Sequence, residues 1–312
     1  MLLEKILFPA PNPSHYTLTS HGEHLLWIPS KNYSNETPVI PCMLYSPSHE
    51  AQAFIIWCHG NGCDIGSMDR TFTALSLRLR VHILAFEYPS YGLLKEITSA
   101  PSETSINKHA QCAYSFVRDT LKWPTNRIII YGHSIGSGAA CHLSAEQEVG
   151  ALILQSPYTS ISNLIREKIG VLSSLISSSF WNNYEAMKHI ACPILFIHGE
   201  RDNLIPSQHS QTLYDSFKST GNKELVLLPD DDHNSISDPI LNINVKPFID
   251  KYFESTTESM PEVRIDPALR QPPTINPTSD STPWRLPTLS SVTNASKSMF
   301  NSLSGKPKDD KD

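Results

Sequence analysis

The chain has 312 residues, of which 39% are apolar and 18% are charged, and its formal net charge is -6. This length suits one sizeable α/β domain or two small ones, and the apolar fraction allows a packed core. The acidic balance predicts no nucleic-acid partner, and no run of like charges indicates a polybasic membrane patch.

Six cysteines are scattered along the chain without a CxxC pair or a Cys/His cluster, so we expect reduced, mostly buried thiols. The first residues, MLLEKILFPAPNPSHY, contain no apolar stretch long enough for a secretory signal. No apolar run approaches the length of a membrane span. The sequence therefore predicts a cytoplasmic protein that is not secreted, with peripheral membrane association left open.

The predicted elements begin with strands in the first fifty residues, where PCMLYSPS reads as a strand that runs into a turn. A regular alternation of strands and helices follows. The predicted strands are FIIWC (54–58), VHILAFEY (81–88), RIIIYG (127–132), ALILQS (151–156), PILFIHG (193–199) and ELVLLP (224–229). The predicted helices cover residues 68–80, 102–122, 135–147, 208–218 and 239–253. This alternation predicts an α/β fold with a mostly parallel, doubly wound sheet covered by helices on both faces.

Two segments depart from this alternation. Residues 160–190 contain more than one crossover helix requires, so we interpret them as a short helical cap over the functional site. The alternative is a long crossover that merely packs on the sheet. From about Thr256, Pro, Ser and Thr dominate, which predicts one domain over residues 1–254 and a disordered tail over 255–312. A tail of this kind would bury little, so its deletion should leave the domain folded.

The strongest functional signal is the stretch YGHSIGSG, which contains Gly132-His133-Ser134-Ile135-Gly136. G-x-S-x-G between a buried strand and a helix is typical of a tight turn that projects a nucleophilic serine from the sheet edge. Small residues two positions before and after Ser134 allow the chain to pass that closely. A plain turn with serine as the helix N-cap is the alternative reading.

A second signal follows the strand FIIWC, where His59-Gly60-Asn61-Gly62 forms a glycine-rich loop. A developing oxyanion needs backbone N–H groups held near the nucleophile. We predict that these donors are the N–H of Asn61 and the N–H of Ile135, the residue after the serine. In this interpretation His59 braces the loop. The alternative is a glycine turn with no catalytic part.

The remaining signals supply an acid and a base. Asp202 follows the strand PILFIHG, where it could orient a histidine, and Glu200 is a weaker candidate for the same role. His233 lies in the loop after ELVLLP and is the predicted general base. The adjacent Asp230, Asp231 and Asp232 could compete for it, but we interpret them as surface charge and prefer Asp202 on topology. The order oxyanion loop, Ser, Asp, His is that of α/β-hydrolases, and each residue follows a separate strand.

A resemblance to a known family is carried by the segments ILFPAPNPSHY, FIIWCHGNGCDIG, FEYPSYG, YGHSIGSG, QSPYTSI, PILFIHGERDNLIP and DDHNSI. Over residues 5–254 the sequence resembles the α/β-hydrolase domain-containing protein 17 group, which is similar in turn to Bem46-like and serine-aminopeptidase-like hydrolases. The resemblance implies a catalytic Ser134, Asp202 and His233 and a thioesterase that removes palmitate from membrane-associated proteins. Members of the group carry a palmitoylated N-terminal cysteine cluster, whereas no cysteine precedes Cys42 here.

Three functions remain open at this stage. The first is an acyl (thio)ester hydrolase, most specifically a palmitoyl-protein thioesterase acting on an acylated protein. The second is a small-molecule carboxylesterase, lipase or serine aminopeptidase-like hydrolase on the same machinery. The third is a non-catalytic interaction module, which the intact Ser/Asp/His set disfavours. The apolar content of residues 160–190 favours an acyl chain, although such residues also serve packing. The oligomeric state does not follow from the sequence.

We predict that hydrolysis needs no metal or organic cofactor, because the chain itself supplies nucleophile, base, acid and oxyanion donors. Ester hydrolysis measured after exhaustive treatment with a chelator should equal that of untreated protein. Activity that disappears with the chelator and returns with an added metal would contradict this.

Overall fold

One eight-stranded sheet runs through the part of the chain that the computed structural model describes. That part comprises residues 7–30, 39–95, 98, 100–169, 180–218, 222–253, 259–275 and 284–285. The strands of the sheet are β1 (Leu25–Pro29), β2 (Val39–Tyr45), β3 (Ala53–Cys58), β4 (Val81–Phe86), β5 (Ile128–His133), β6 (Ala151–Gln155), β7 (Ile194–Gly199) and β8 (Lys223–Leu228). Every strand predicted from an apolar run is present, with ends that differ by one or two residues.

The strand order is β1-β2-β4-β3-β5-β6-β7-β8. Strand β2 is antiparallel to β1 and β4, while β4, β3, β5, β6, β7 and β8 pair in parallel. The predicted doubly wound, mostly parallel sheet is confirmed. The inner strands are buried on both faces, which explains their continuous apolar runs.

Helices cover both faces of the sheet. They are α1 (Asp69–Leu79), α2 (Glu103–Ser115), α3 (Gly136–Glu146), α4 (Ile161–Ile169), α5 (Asn183–Ala186), α6 (Gln208–Ser216) and α7 (Asp238–Tyr252). Helices α1 and α7 pack on one face and α2, α3 and α6 on the other. Successive residues of β3 point to opposite faces, so that Phe54 and Ile56 join one core and Ile55 and Trp57 the other. None of the helices in the described ranges has the length and apolar character that crossing a bilayer demands.

The parallel arrangement brings the candidate residues to one edge of the sheet. Asn61 follows β3, Ser134 follows β5, Asp202 follows β7 and His233 follows β8. The carboxyl ends of parallel strands lie at the same edge, which is where open α/β sheets bind their ligands. The topology therefore places the four loops together before any side-chain contact is considered.

The predicted cap begins at the same edge, after β6. Ser160 forms a β-bridge with Asn182, and the N–H of Ile161 donates to the carbonyl of Trp181 at 3.2 Å. The predicted cap segment therefore begins and ends at neighbouring positions. Within it, α4 packs Leu164 and Ile165 against the main core. Residues 170–179 of the predicted cap lie outside the described residues.

The structure differs from the predicted tail over residues 259–275. There, four apolar side chains spaced among prolines and charged residues pack against the main core, namely Met260, Val263, Ile265 and Leu269. The N–H of Met260 donates to Glu50, and Arg270 donates to the carbonyl of Glu23. Thr274–Ile275 (β9) pairs with Trp284–Arg285 (β10). Residues 254–258, 276–283 and 286–312 of the predicted tail lie outside the described residues.

These contacts change the expected result of truncation. Removing everything after Phe253 uncovers core surface under four apolar side chains, and partial burial of that size is worth about 2 kcal/mol or more. A chain that ends after Phe253 should therefore melt several degrees below a chain that ends after Arg285. Thermal unfolding followed by circular dichroism compares the two. Equal melting temperatures would show that residues 259–275 contribute nothing to stability.

Candidate active site

Ser134 occupies the turn that joins β5 to α3, and it has a φ angle of +54°. A non-glycine residue in this left-handed region carries a strain of about 1–2 kcal/mol. The N–H of Ser134 donates to the carbonyl of Gln155 on the neighbouring strand β6 at 2.9 Å. This is the strained strand-to-helix turn that the G-x-S-x-G pattern predicts, with serine at its apex.

The two glycines of the motif are required by close packing. A side chain at Gly132 would come within 2.7 Å of the Cα of Ser137, the second residue of α3. A side chain at Gly136 would overlap the main-chain carbonyl groups of Cys58 and His59. The first turn of α3 therefore lies directly against the end of β3, and only glycine permits that approach.

The side chains of Ser134, His233 and Asp202 form one hydrogen-bonded series. The Nδ1–H of His233 donates to Oδ2 of Asp202 at 2.6 Å, because a carboxylate can only accept. The other ring nitrogen, Nε2, is then unprotonated and accepts from the hydroxyl of Ser134 at 2.9 Å. All three residues are at least 93% buried. The structure thus brings together the three residues that the sequence singles out, in the order needed to withdraw a proton from serine.

Four donors hold Asp202 in place. Its Oδ1 accepts the N–H groups of Leu204 at 2.9 Å and Ile205 at 2.7 Å, and its Oδ2 faces His233 and His198. Burial opposes ionisation of the Asp202 carboxyl, but the hydrogen bonds from both histidines and from Ile205 outweigh it and lower the pKa well below its usual value. Asp202 is therefore a fixed anion throughout the neutral range.

His198 was not singled out from the sequence, although it contacts the same carboxylate. It lies within β7, is fully buried, and its Nε2 is 3.2 Å from Oδ2 of Asp202. The same nitrogen donates to the carbonyl of Ile205 at 2.8 Å, and the hydroxyl of Ser210 lies 2.7 Å from Nδ1. A histidine inside an otherwise apolar strand, four residues before the acid, is the signal that could have identified it.

His133 flanks the serine and stays uncharged. Its ring lies nearly parallel to that of His233, with the centroids 5.7 Å apart. Burial, aided by the nearby His233 and His59, lowers the pKa of His133 to about 3. A neutral His133 places no second positive charge beside the imidazole that accepts the proton of Ser134.

The two predicted oxyanion donors lie in adjacent loops. Strands β3 and β5 pair directly, with Cys58 opposite Gly132, so the loops after them leave the sheet side by side. The N–H of Ile135 belongs to the residue that begins the turn into α3. In the other loop, the Asn61 side chain donates to the carbonyl of Leu7 and accepts from the hydroxyl of Tyr91 at 3.1 Å. The Asn61 side chain is thereby held away from the reaction, which leaves its main-chain N–H as the candidate donor.

The alternative acids have other positions. Glu200 is exposed, whereas the side chain of Asp202 is fully buried against His233. Asp232 is also exposed, and its Oδ1 accepts the N–H groups of Asn234 at 2.8 Å and Ser235 at 2.9 Å. Asp232 thus caps the turn that carries His233. Within the described residues, no group of three or more His, Cys, Asp or Glu side chains is arranged to hold a metal ion.

Comparison with known proteins agrees with this arrangement. The model of a serine hydrolase family, "Serine hydrolase (FSH1)", matches residues 96–233, a range that includes Ser134, Asp202 and His233. The chain is 28% identical over 255 residues to a putative α/β hydrolase, L404, of Acanthamoeba polyphaga mimivirus, covering 81% of this chain and 94% of that protein. It is 28% identical over 176 residues to the human α/β hydrolase domain-containing protein 17B, covering 56% of this chain and 59% of that protein.

Among solved structures, the esterase Pf2001 of Pyrococcus furiosus superposes with a TM-score of 0.60 at 16% identity. The superposition covers 78% of this chain and 99% of that esterase. At this identity the likeness shows the fold, which is that of the α/β-hydrolases. The resemblance inferred from the sequence motifs is confirmed by the named relatives.

The hydrogen bonds around His233 predict which acid matters. Asn in place of Asp202 should lower kcat by about 10⁴-fold, because the tautomer and the imidazolium of His233 both lose support. Asn in place of Asp232 is the matched control, since its amide oxygen still caps Asn234 and Ser235, and kcat should change little. The measurement is kcat against pH for both variants. A crippled Asp232 variant beside a nearly normal Asp202 variant would show that the acid is assigned wrongly.

Proposed function

We propose that this chain, which has the α/β-hydrolase fold, is a serine hydrolase that cleaves acyl esters and thioesters through an acyl-enzyme on Ser134. The observation that carries the proposal is the buried hydrogen-bonded series from Asp202 through His233 to a serine in a left-handed turn. The serine hydrolase family match over the same residues supports it.

In the first half of the reaction, Nε2 of His233 takes the proton of the Ser134 hydroxyl while Oγ attacks the acyl carbonyl carbon. Charge develops on the carbonyl oxygen of the tetrahedral intermediate. The N–H groups of Asn61 and Ile135 are proposed to donate to this oxygen. Collapse of the intermediate breaks the bond to the leaving sulfur or oxygen, which receives the proton from the His233 imidazolium.

In the second half, water attacks the acyl-enzyme with His233 again acting as base. The Ser134 oxygen leaves, takes back a proton from the imidazolium, and the free acid is released. Asp202 stays ionised throughout and stabilises each imidazolium that forms, consistent with its lowered pKa.

The finer proposal is that the substrate is an S-acylated protein, with palmitate as the acyl group. The resemblance of the sequence motifs to the α/β-hydrolase domain-containing protein 17 group implies this activity. The apolar content of residues 160–190, a segment that leaves the sheet at the edge where Ser134 lies, also favours an acyl chain. We further propose that the protein meets such substrates in the cytoplasm at membrane surfaces.

A small-molecule carboxylesterase is the second candidate. The solved structures that share the fold include the esterases Pf2001 and Est1E, the latter from Butyrivibrio proteoclasticus. The same triad would serve an ester, a thioester or an aminopeptidase-like amide substrate. The leaving group and the acyl length therefore distinguish the candidates, and both can be varied in one panel.

The test compares wild type with Ser134→Ala on a panel of a palmitoyl-cysteine peptide, short- and long-chain p-nitrophenyl esters and aminoacyl anilides. Ser134→Ala should lower kcat on the order of 10⁴-fold or more and abolish labelling by a fluorophosphonate probe. Ser144→Ala is the matched control, because Ser144 is a buried serine of α3, the helix that begins just after Ser134, and its hydroxyl has no hydrogen-bond partner among the described residues.

The proposal requires the palmitoyl-cysteine peptide to have the highest kcat/KM of the panel. A preference for short esters would favour the carboxylesterase, and a preference for anilides the peptidase. Turnover by Ser134→Ala at the wild-type rate would end the serine hydrolase proposal altogether.

A further inference from the structure

A fully buried carboxylate lies behind the loop that carries Asn61. Glu87 directly follows β4, and three N–H or O–H groups point at its carboxylate. The hydroxyl of Tyr16 donates to Oε2 at 2.8 Å, and the N–H of Ile65 points at the same oxygen at 3.4 Å. The N–H of Tyr88 donates to Oε1 at 3.2 Å, and Nε2 of His59 is 3.3 Å from it. A buried carboxylate without such partners would be costly, so these contacts hold Glu87 in one orientation.

The partner of Glu87 in this loop is His59, the loop's first residue. Its Nδ1 donates to the carbonyl of Gly60 at 3.0 Å, and its Nε2 lies 3.3 Å from Oε1 of Glu87, a close contact rather than an aligned hydrogen bond. The ring also stacks on Tyr88 with a centroid separation of 3.7 Å, and the Tyr88 hydroxyl donates to the His59 carbonyl at 2.8 Å. Glu87 and Tyr88, the two residues after β4, therefore contact both the side chain and the main chain of His59.

The N-terminal segment, residues 7–16, closes this arrangement from outside. Tyr16 is buried and supplies the shortest hydrogen bond to Glu87. At the other end of the segment, the carbonyl of Leu7 accepts from the side chain of Asn61. Between them, the N–H of His15 donates to the buried Asp64 at 2.7 Å. The segment therefore binds the loop after β3 at Asn61 and at Asp64, and it contacts Glu87 through Tyr16.

We propose that Glu87 is a positioning residue for the reaction. Its carboxylate, held by Tyr16, fixes His59 and so orients the main-chain N–H of Asn61 toward the carbonyl oxygen of the substrate. The inference rests on the proposed function, since it assigns Asn61 to the oxyanion. Oxyanion donors stabilise the transition state only when they are oriented before charge develops. A displacement of about 1 Å in such a group can cost on the order of 10²-fold in rate.

The test uses two variants and a matched control in the full chain. Glu87→Gln removes the charge that faces His59, and Tyr16→Phe removes a single hydroxyl that donates to Glu87. Tyr45→Phe is the control, because the buried Tyr45 hydroxyl also donates to a carboxylate at 2.8 Å, that of Asp69 at the start of α1 rather than that of Glu87. We expect kcat to fall about 10-fold or more in Glu87→Gln and several-fold in Tyr16→Phe, with KM within about twofold of wild type. Tyr45→Phe should keep the wild-type kcat.

A second measurement separates positioning from general destabilisation. An alkyl boronic acid forms a tetrahedral adduct with the active serine and places one oxygen where the oxyanion develops. Its inhibition constant should rise in Glu87→Gln and Tyr16→Phe by the same factor as kcat/KM falls, at temperatures below each melting transition. A loss of kcat with an unchanged boronate inhibition constant would overturn the inference. If Glu87→Gln does not fold, Tyr16→Phe against Tyr45→Phe decides it alone.

Different outcomes would refute the proposed function and the positioning role of Glu87. Wild-type protein that reacts with neither the boronate nor a fluorophosphonate would refute the proposed function, and the inference with it. Reactive wild-type protein whose Tyr16→Phe variant behaves like Tyr45→Phe would refute the role of Glu87 and leave the serine hydrolase intact.

Discussion

The left-handed turn at Ser134 is the constraint on which the rest of the site depends. A serine at a φ of +54° persists only because its surroundings permit no other path. Strand β6 holds its N–H through Gln155, and the end of β3 packs against Gly136. The turn that follows β5 is thus held in place by both neighbouring strands. The hydroxyl projects from a rigid element, which allows His233 and Asp202 to be placed against it from separate loops.

The Asp202 carboxylate connects His233 to the main chain and to the sheet. One oxygen is bound by the main chain of its own loop, through Leu204 and Ile205, and the other by His233 and His198. An acid held at both oxygens cannot rotate away when the imidazole becomes charged. His198, the penultimate residue of β7, ties this support to the sheet, so the sheet itself helps to orient the carboxylate that contacts His233.

The Ser134–His233–Asp202 series and the loop after β3 are supported by different parts of the chain. The serine hydrolase family match begins at residue 96, so it contains the triad residues but not Asn61, Glu87 or Tyr16. The loop after β3 is held instead by the residue after β4 and by the N-terminal segment.

The sequence by itself determined the parallel part of the sheet and singled out Ser134, Asp202 and His233, which the structure joins by hydrogen bonds. Apolar runs such as FIIWC are buried on both sides, and a G-x-S-x-G between strand and helix leaves little choice of conformation at Ser134. These are local features, in which short-range sterics and burial act on neighbouring residues. Tertiary structure decided the antiparallel pairing of β1 and β2, and it decided that Asp202 rather than Asp232 meets His233. It also decided that Glu87 faces His59 across 28 residues of sequence, and that Met260 to Leu269 pack on the core without a periodic pattern. Such contacts depend on which elements the topology brings side by side. They cannot be predicted from the residues that are adjacent in sequence.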